Sequence, residues 1–247
     1  MKQEDAVVVV TGASDRLGRQ IALSLAQEGY AIVVHCHTDT AGADETAALI
    51  TASGGQAHRF SCDLTTSEGI ESLVRTTLEH YGRWDGLVNA ASIFSSVPIE
   101  DLTIRDYMKD QQIHQRAPFF LSRALYLHAK NTSMPYGAAC VVNITDTGIR
   151  HPVPSRPSYY VAKSALEQQT IILGRALAPY VRVNAVAPGA VLPATPEDAD
   201  YFTRLKQDIL LRRLPSVQNV VSAVLFLFFN DSITGQTIVV DGGEHLQ

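Results

Sequence analysis

With 247 residues, 46% of them hydrophobic and 18% charged, the chain has enough apolar side chains for one large α/β core. A balance of 20 Lys+Arg against 25 Asp+Glu gives a formal net charge of -5, which removes the electrostatic case for nucleic acid or an anionic membrane as partner. The three cysteines, Cys36, Cys62 and Cys140, stand isolated and odd in number, so neither a disulfide framework nor a metal site is expected.

The chain begins MKQEDAVVVVTG, one short apolar run entering a glycine turn without the cleavage region of a signal peptide. No apolar run nears the ~20 residues that span a bilayer, and AVLFLFF at 223–229 reads as a buried helix end. A cytoplasmic protein is the expectation. Strands are expected at 6–10, 31–36, 57–60, 85–90, 138–144, 181–186 and 236–240. Several are continuous apolar runs, as strands become when helices cover both faces of a parallel sheet. Helical patterns lie between them at 16–29, 40–54, 66–82, 103–130 and 155–180, with Leu17, Ile21 and Leu25 forming one apolar stripe. The alternation predicts a single doubly wound Rossmann-type domain over 1–247 with a mostly seven-stranded parallel sheet. The Pro- and acid-rich stretch after 187 leads into another helical pattern, and 190–212 is expected to act as a substrate flap.

After the first strand, TGASDRLGR places Gly12 and Gly18 about Arg16. Between a strand and an amphipathic helix, such a turn can offer backbone N–H groups to a pyrophosphate. No Gly-Lys-Ser/Thr closes it, so it is not a P-loop. A site for NAD ordinarily ends its second strand on an acid that holds the ribose diol. Here that strand runs out as HCHTDT, with His35 and His37 in the acid's place and Asp39 a little beyond. Arg16 can face a 2'-phosphate, and NADPH is the expected cofactor. Asp63, just after the third strand, reads equally as a contact to adenine or as a helix cap before Thr65 and Thr66.

Tyr159 and Lys163 stand four apart in a helical pattern and share a face. An ammonium there favours tyrosinate and sharpens the phenol as a proton donor. Asp146 lies thirteen positions before the tyrosine in NITDTG. A carboxylate at that place repels the alkoxide of a reduced ketone, but it suits a C=N bond whose nitrogen must take a proton.

The order of the glycine turn, NAAS, NIT, YVAK, APG and ITGQTIVVDGG resembles the short-chain dehydrogenase/reductases over essentially the whole chain. The resemblance implies that Gly12, Ser14, Arg16, Leu17 and Gly18 wrap the pyrophosphate and adenosine end, and that Asp63 and Leu64 flank adenine. It places Asn89 and Ala90 near the ribose region and Pro188 with Gly189 by the carboxamide, and His37, Thr38 and Thr145 are also expected to bind the cofactor. Asp146, Tyr159 and Lys163 become catalytic, and a homotetramer is implied. Arg16 in place of glycine and Asp146 in place of serine resemble the pteridine reductase branch. There an aromatic stacks on the pterin, a role that falls to Phe94 with Ser92 beside it. His114 replaces the family's helix asparagine and, with PEDADY and DGGEHL, is similar to dihydromonapterin/dihydrofolate reductase members. The expected activity is reduction of a 7,8-dihydropterin (dihydromonapterin, dihydrobiopterin or dihydrofolate) to its tetrahydro form. The alternatives are a carbonyl reductase of the 3-oxoacyl thioester type and a catalytically silent cofactor-binding scaffold.

Overall fold

The computed structural model describes residues 6–192 and 199–247. Its strands are β1 (Val7–Thr11), β2 (Ala31–Cys36), β3 (Ala57–Ser61), β4 (Gly86–Asn89), β5 (Ala139–Ile144), β6 (Val181–Pro188) and β7 (Thr237–Val240). They form one sheet in the order β3-β2-β1-β4-β5-β6-β7, with every pair parallel. The helices are α1 (Arg16–Gln27), α2 (Thr40–Ala52), α3 (Ser67–Tyr81), α4 (Ile104–Gln111), α5 (Ala117–Asn131), α6 (Pro157–Ala176), α7 (Ala199–Asp208) and α8 (Val217–Phe229).

The unbroken apolar runs follow from burial on both faces. Val8, Val10, Ile32 and Val34 join Ile21 and Leu25 of α1 and Val220, Val224 and Leu227 of α8 in one core. The alternate residues Val7, Val9 and Val33 pack with Leu73, Leu121, Leu125 and Leu173 of α3, α5 and α6 in the other. Truncating a wholly buried leucine such as Leu25 to alanine costs about 2–5 kcal/mol. Buried in β6 along with Asn184, Arg182 departs from an apolar strand. Its guanidinium donates to the carbonyls of Leu227, Phe228 and Asn230, satisfying the C-terminal end of α8.

Residues 103–130, expected as one helix, are divided by a π turn at Gln112–Arg116. Pro118 lacks the N–H that an unbroken α-helix would give to the His114 carbonyl. The helical pattern after 199 ends at Asp208, and 193–198 of the expected flap lie outside the described residues. Among the described residues, no helix is long and apolar enough to cross a membrane. Strand order reverses between β1 and β4, where Thr11 pairs with Asn89. The crevice beyond the C-terminal ends at such a switch point is where this architecture binds ligands.

Candidate active site

The glycine turn is held from several sides. Thr11 Oγ1 accepts from the backbone N–H groups of Ala90 and Ala91, each at 3.0 Å, tying β1 to β4 across the switch point. Gly12 has φ +65°, and a Cβ there would lie 2.7 Å from Ala91 Cα. A Cβ on Gly18 would stand 2.0 Å from the Gly12 carbonyl oxygen, so only glycine lets α1 start this close to β1. Arg19 donates to the Ser14 carbonyl through Nε (3.0 Å) and Nη2 (2.7 Å), and to that of Gly42 at 3.2 Å. Leu17 turns its side chain into the core. Arg16, where the family resemblance predicts glycine, sits at φ 51° in the left-handed region, a strain of about 1–2 kcal/mol. Its exposed guanidinium donates to the Leu192 carbonyl at 3.2 Å, and Asp15 accepts the Arg16 N–H at 2.6 Å as the cap of α1.

His35 is buried, and its Nδ1 accepts the Gly12 N–H at 3.3 Å. Nε2 therefore carries the proton, which it donates to the Cys62 carbonyl at 3.2 Å. Burial draws its pKa down to about 4, so it is a neutral brace beneath the turn rather than a ribose contact. Asp39 caps α2 by accepting from Gly42 N at 3.0 Å. His37 and Thr38 are exposed beyond the strand. Asp63 spends Oδ1 on the N–H and hydroxyl of Thr65 (2.8 and 2.7 Å), while Oδ2 faces His37 Nε2 at 3.9 Å. The cap of α3 is Thr66. Leu64 is 2% exposed and packs in the core, which leaves only its backbone for a nucleotide. Asn89 donates to Asn143 Oδ1 at 2.8 Å, and Asn143 in turn to Thr170, so the Asn89 side chain is committed within the sheet.

Asp146, Tyr159 and Lys163 come together above β5. The Tyr159 hydroxyl donates to Asp146 Oδ2 at 2.6 Å. Oδ1 of the same carboxylate accepts from Gly148 N at 2.7 Å and caps the short turn Thr147–Arg150. Asp146 is thus both a cap and a partner of the tyrosine. Lys163 is buried, donates to the Ile144 carbonyl at 2.7 Å, and lies 5.8 Å from the centre of the Tyr159 ring. Burial lowers the Lys163 pKa to about 8, against the attraction of Asp146. The expectation that the ammonium lowers the tyrosine is overturned: burial, then the charge and bond of Asp146, push Tyr159 well above its ordinary value. Thr145 and Thr147 donate to the carbonyls of Val186 and Pro188, both at 3.2 Å, and so fix the end of β6. Gly189 N bonds the Val240 carbonyl at 3.0 Å.

His114, in the π turn, is buried against Tyr159 with ring centres 5.2 Å apart. Its Nε2 accepts from Ile93 N at 3.3 Å and lies 3.0 Å from Ser92 Oγ, so Nδ1 carries the proton and donates to the Asp110 carbonyl at 3.2 Å. Burial, and then Lys163, hold its pKa well below the usual value. A neutral histidine thereby pins the loop that carries Ser92 and Phe94. Phe94 is 47% exposed and meets Tyr159 edge-on at 5.0 Å. The Arg156 guanidinium lies over the Phe94 ring at 4.0 Å, a contact with no periodic signal in the sequence. Thr11, His35 and Arg19 were equally hidden, although a lone histidine inside an apolar strand is a signal that it has a bonding partner.

A buried tyrosine–lysine pair beside a glycine turn at the sheet's switch point marks an oxidoreductase of the doubly wound class. The family model described as Enoyl-(Acyl carrier protein) reductase matches residues 12–245, and the chain belongs to this family, the short-chain dehydrogenase/reductases. It is similar to FolM alternative dihydrofolate reductase 1 from Brucella canis, solved in complex with NADP. That likeness has a TM-score of 0.91 and 32% identity over 100% of this chain and 96% of the other. A dihydromonapterin reductase of Citrobacter koseri is 25% identical over 100% of this chain and 99% of its own length. A 3-oxoacyl-(acyl-carrier-protein) reductase of Synechocystis is 30% identical, covering 96% of each chain.

Proposed function

We propose that the chain is an NADPH-dependent reductase of 7,8-dihydropterins that converts a C=N bond to the tetrahydro form. The 2.6 Å bond from the Tyr159 hydroxyl to Asp146 carries the reading. A carboxylate so close to the reacting atoms opposes negative charge growing on a ketone oxygen and favours a nitrogen that becomes protonated.

The residues fit the nucleotide. Gly12 and Gly18 lack a Cβ at the two places where one would strike Ala91 and the Gly12 carbonyl, Asp39 is committed to its helix, and Arg16 with exposed His37 suits a 2'-phosphate better than a ribose diol. When bound, NADPH supplies the hydride. Lys163 spends one of its three N–H donors on Ile144, which leaves two for ribose hydroxyls. The raised pKa of Tyr159 keeps it a phenol at neutral pH, the protonation state a reduction needs. The substrate carbon takes the hydride, and the nitrogen takes a proton passed through the Tyr159–Asp146 pair, which is replenished from solvent. Phe94 offers one ring face to the planar substrate while Arg156 covers the other. The similarity to the Brucella and Citrobacter proteins supports this choice.

The same proposal takes 1–247 as one reductase domain with a flap at 190–212, and a cytoplasmic homotetramer. Exposed Phe119, Phe120 and Leu127 on α5, with Val161, Ile171 and Ile172 on α6, support such assembly. The Synechocystis relative favours a rival, reduction of 3-oxoacyl thioesters. Initial rates of NADPH oxidation decide between them. Turnover of 7,8-dihydromonapterin or dihydrofolate well above that of a 3-oxoacyl thioester is expected, and thioester turnover alone would contradict the proposal.

A further inference from the structure

Beside Tyr159, on the side of α4, lies a cavity of about 50 Å³ whose wall includes Ile93, Lys109, Asp110, Arg156 and Ser158. Three of its polar atoms, Asp110 Oδ1, Arg156 Nε and Ser158 Oγ, are buried with no hydrogen-bond partner among the described residues. Asp110 and Ser158 are only 6% and 3% exposed. The Ser158 hydroxyl lies beside the Asp110 carboxyl and lowers its pKa, but burial outweighs this and raises it. One orphaned polar atom is an ordinary irregularity, but three around one small space define a place that polar atoms of a ligand complete.

The wall also indicates which polar atoms. Two cations, Lys109 and Arg156, stand against two acids, Asp106 and Asp110. Asp106 is already committed to the backbone and hydroxyl of Thr103. Such a balance gives no net attraction to an anion. An N–H donor, a hydroxyl and a carboxyl together suit groups that both donate and accept, which is the property of an alcohol. At ~10–15 Å³ for a water-sized group, the space takes a few hydroxyl-bearing carbons and no ring. Arg156 joins this cavity to Phe94, since the same guanidinium lies on the Phe94 ring at 4.0 Å.

We propose that this cavity is a subsite for a hydroxylated side chain on the substrate, read by Asp110, Arg156 and Ser158. The inference rests on the dihydropterin reading and narrows it to pterins with a short polyhydroxyalkyl chain, rather than a folate with its long anionic tail.

The test compares kcat/KM for a 7,8-dihydropterin carrying a trihydroxypropyl chain with that for 6-methyl-7,8-dihydropterin. The wild-type protein is expected to prefer the hydroxylated substrate at least ~10-fold, and Ser158→Ala and Asp110→Asn each to reduce that preference several-fold. Asp110→Asn is isosteric and keeps the measurement available should Ser158→Ala disturb α6. Equal use of the two substrates by the wild type, or a preference untouched by both variants, would overturn the subsite while leaving the pterin reading in place. Turnover of neither substrate, nor of dihydrofolate, would overturn both, and turnover of dihydrofolate alone would overturn the subsite only.

Discussion

Replacing Lys163 with methionine separates what the ammonium costs the fold from what it contributes to the chemistry. Burial takes its pKa from 10.5 to about 8. At 1.36 kcal/mol per unit, holding that charge in the folded nucleotide-free protein at pH 7 costs ~3 kcal/mol. Methionine keeps an apolar stem of similar length and removes the charge, but leaves the Ile144 carbonyl without its donor, a loss of ~1 kcal/mol. Lys163→Met is therefore expected to be about 2 kcal/mol more stable at pH 7, a rise in Tm of about 4–8 °C, and inactive. The sign reverses with pH. Below pH 8 both folded and unfolded lysine are charged and the whole penalty stands. Between about 8 and 10.5 the folded group is neutral while the unfolded one still holds its proton, so the wild type gains on the variant. Urea unfolding of both proteins from pH 7 to pH 10 reads this directly. A variant less stable than wild type at pH 7, or a gap that does not move with pH, would refute the argument.

Other changes test separate parts of the site. Arg16→Gly relieves the left-handed backbone, so the nucleotide-free protein should gain about 1 kcal/mol. The same change should lower NADPH preference over NADH by about 10-fold or more, read from KM for the two nucleotides. Gly18→Ala sets a Cβ against the Gly12 carbonyl, and fluorescence titration should show NADPH binding weakened ~10-fold or more. His114→Ala removes the acceptor of the Ile93 N–H. It should lower kcat/KM for the dihydropterin ~10-fold with little change in KM for NADPH, because the loop it pins carries Phe94, the proposed substrate contact.

Much of the frame was legible because it depends on local periodicity. The continuous runs VVVV, AIVV and ACVV announce strands covered on both faces, and every one lies in the central sheet with alternate residues in the two cores. The four-residue spacing of Tyr159 and Lys163 likewise places both on one helix face. What escaped reading depends on contacts between distant parts of the chain. His35 reaches forward to Cys62 and back to Gly12, a role that no window around HCHTDT displays. Pro118 was in view, yet its effect falls four residues earlier, where the His114 carbonyl loses its amide and the helix widens. The tyrosine's acidity was misread for an electrostatic reason: sequence spacing reveals the lysine nearby but not the depth of burial, which here outweighs it. The same depth decides Leu64 and Asn89, whose side chains turn into the sheet and its core.

The most direct test of the account is the exchange Asp146→Ser, assayed with NADPH on a 7,8-dihydropterin and on a 3-oxoacyl thioester. The carboxylate that bonds Tyr159 at 2.6 Å is held here to turn the site from carbonyl to C=N reduction. The variant should therefore lose ~100-fold or more in kcat/KM on the dihydropterin, within the range for removal of an acid–base group, and hold or gain activity on the thioester. Undiminished dihydropterin reduction by the serine variant would contradict it.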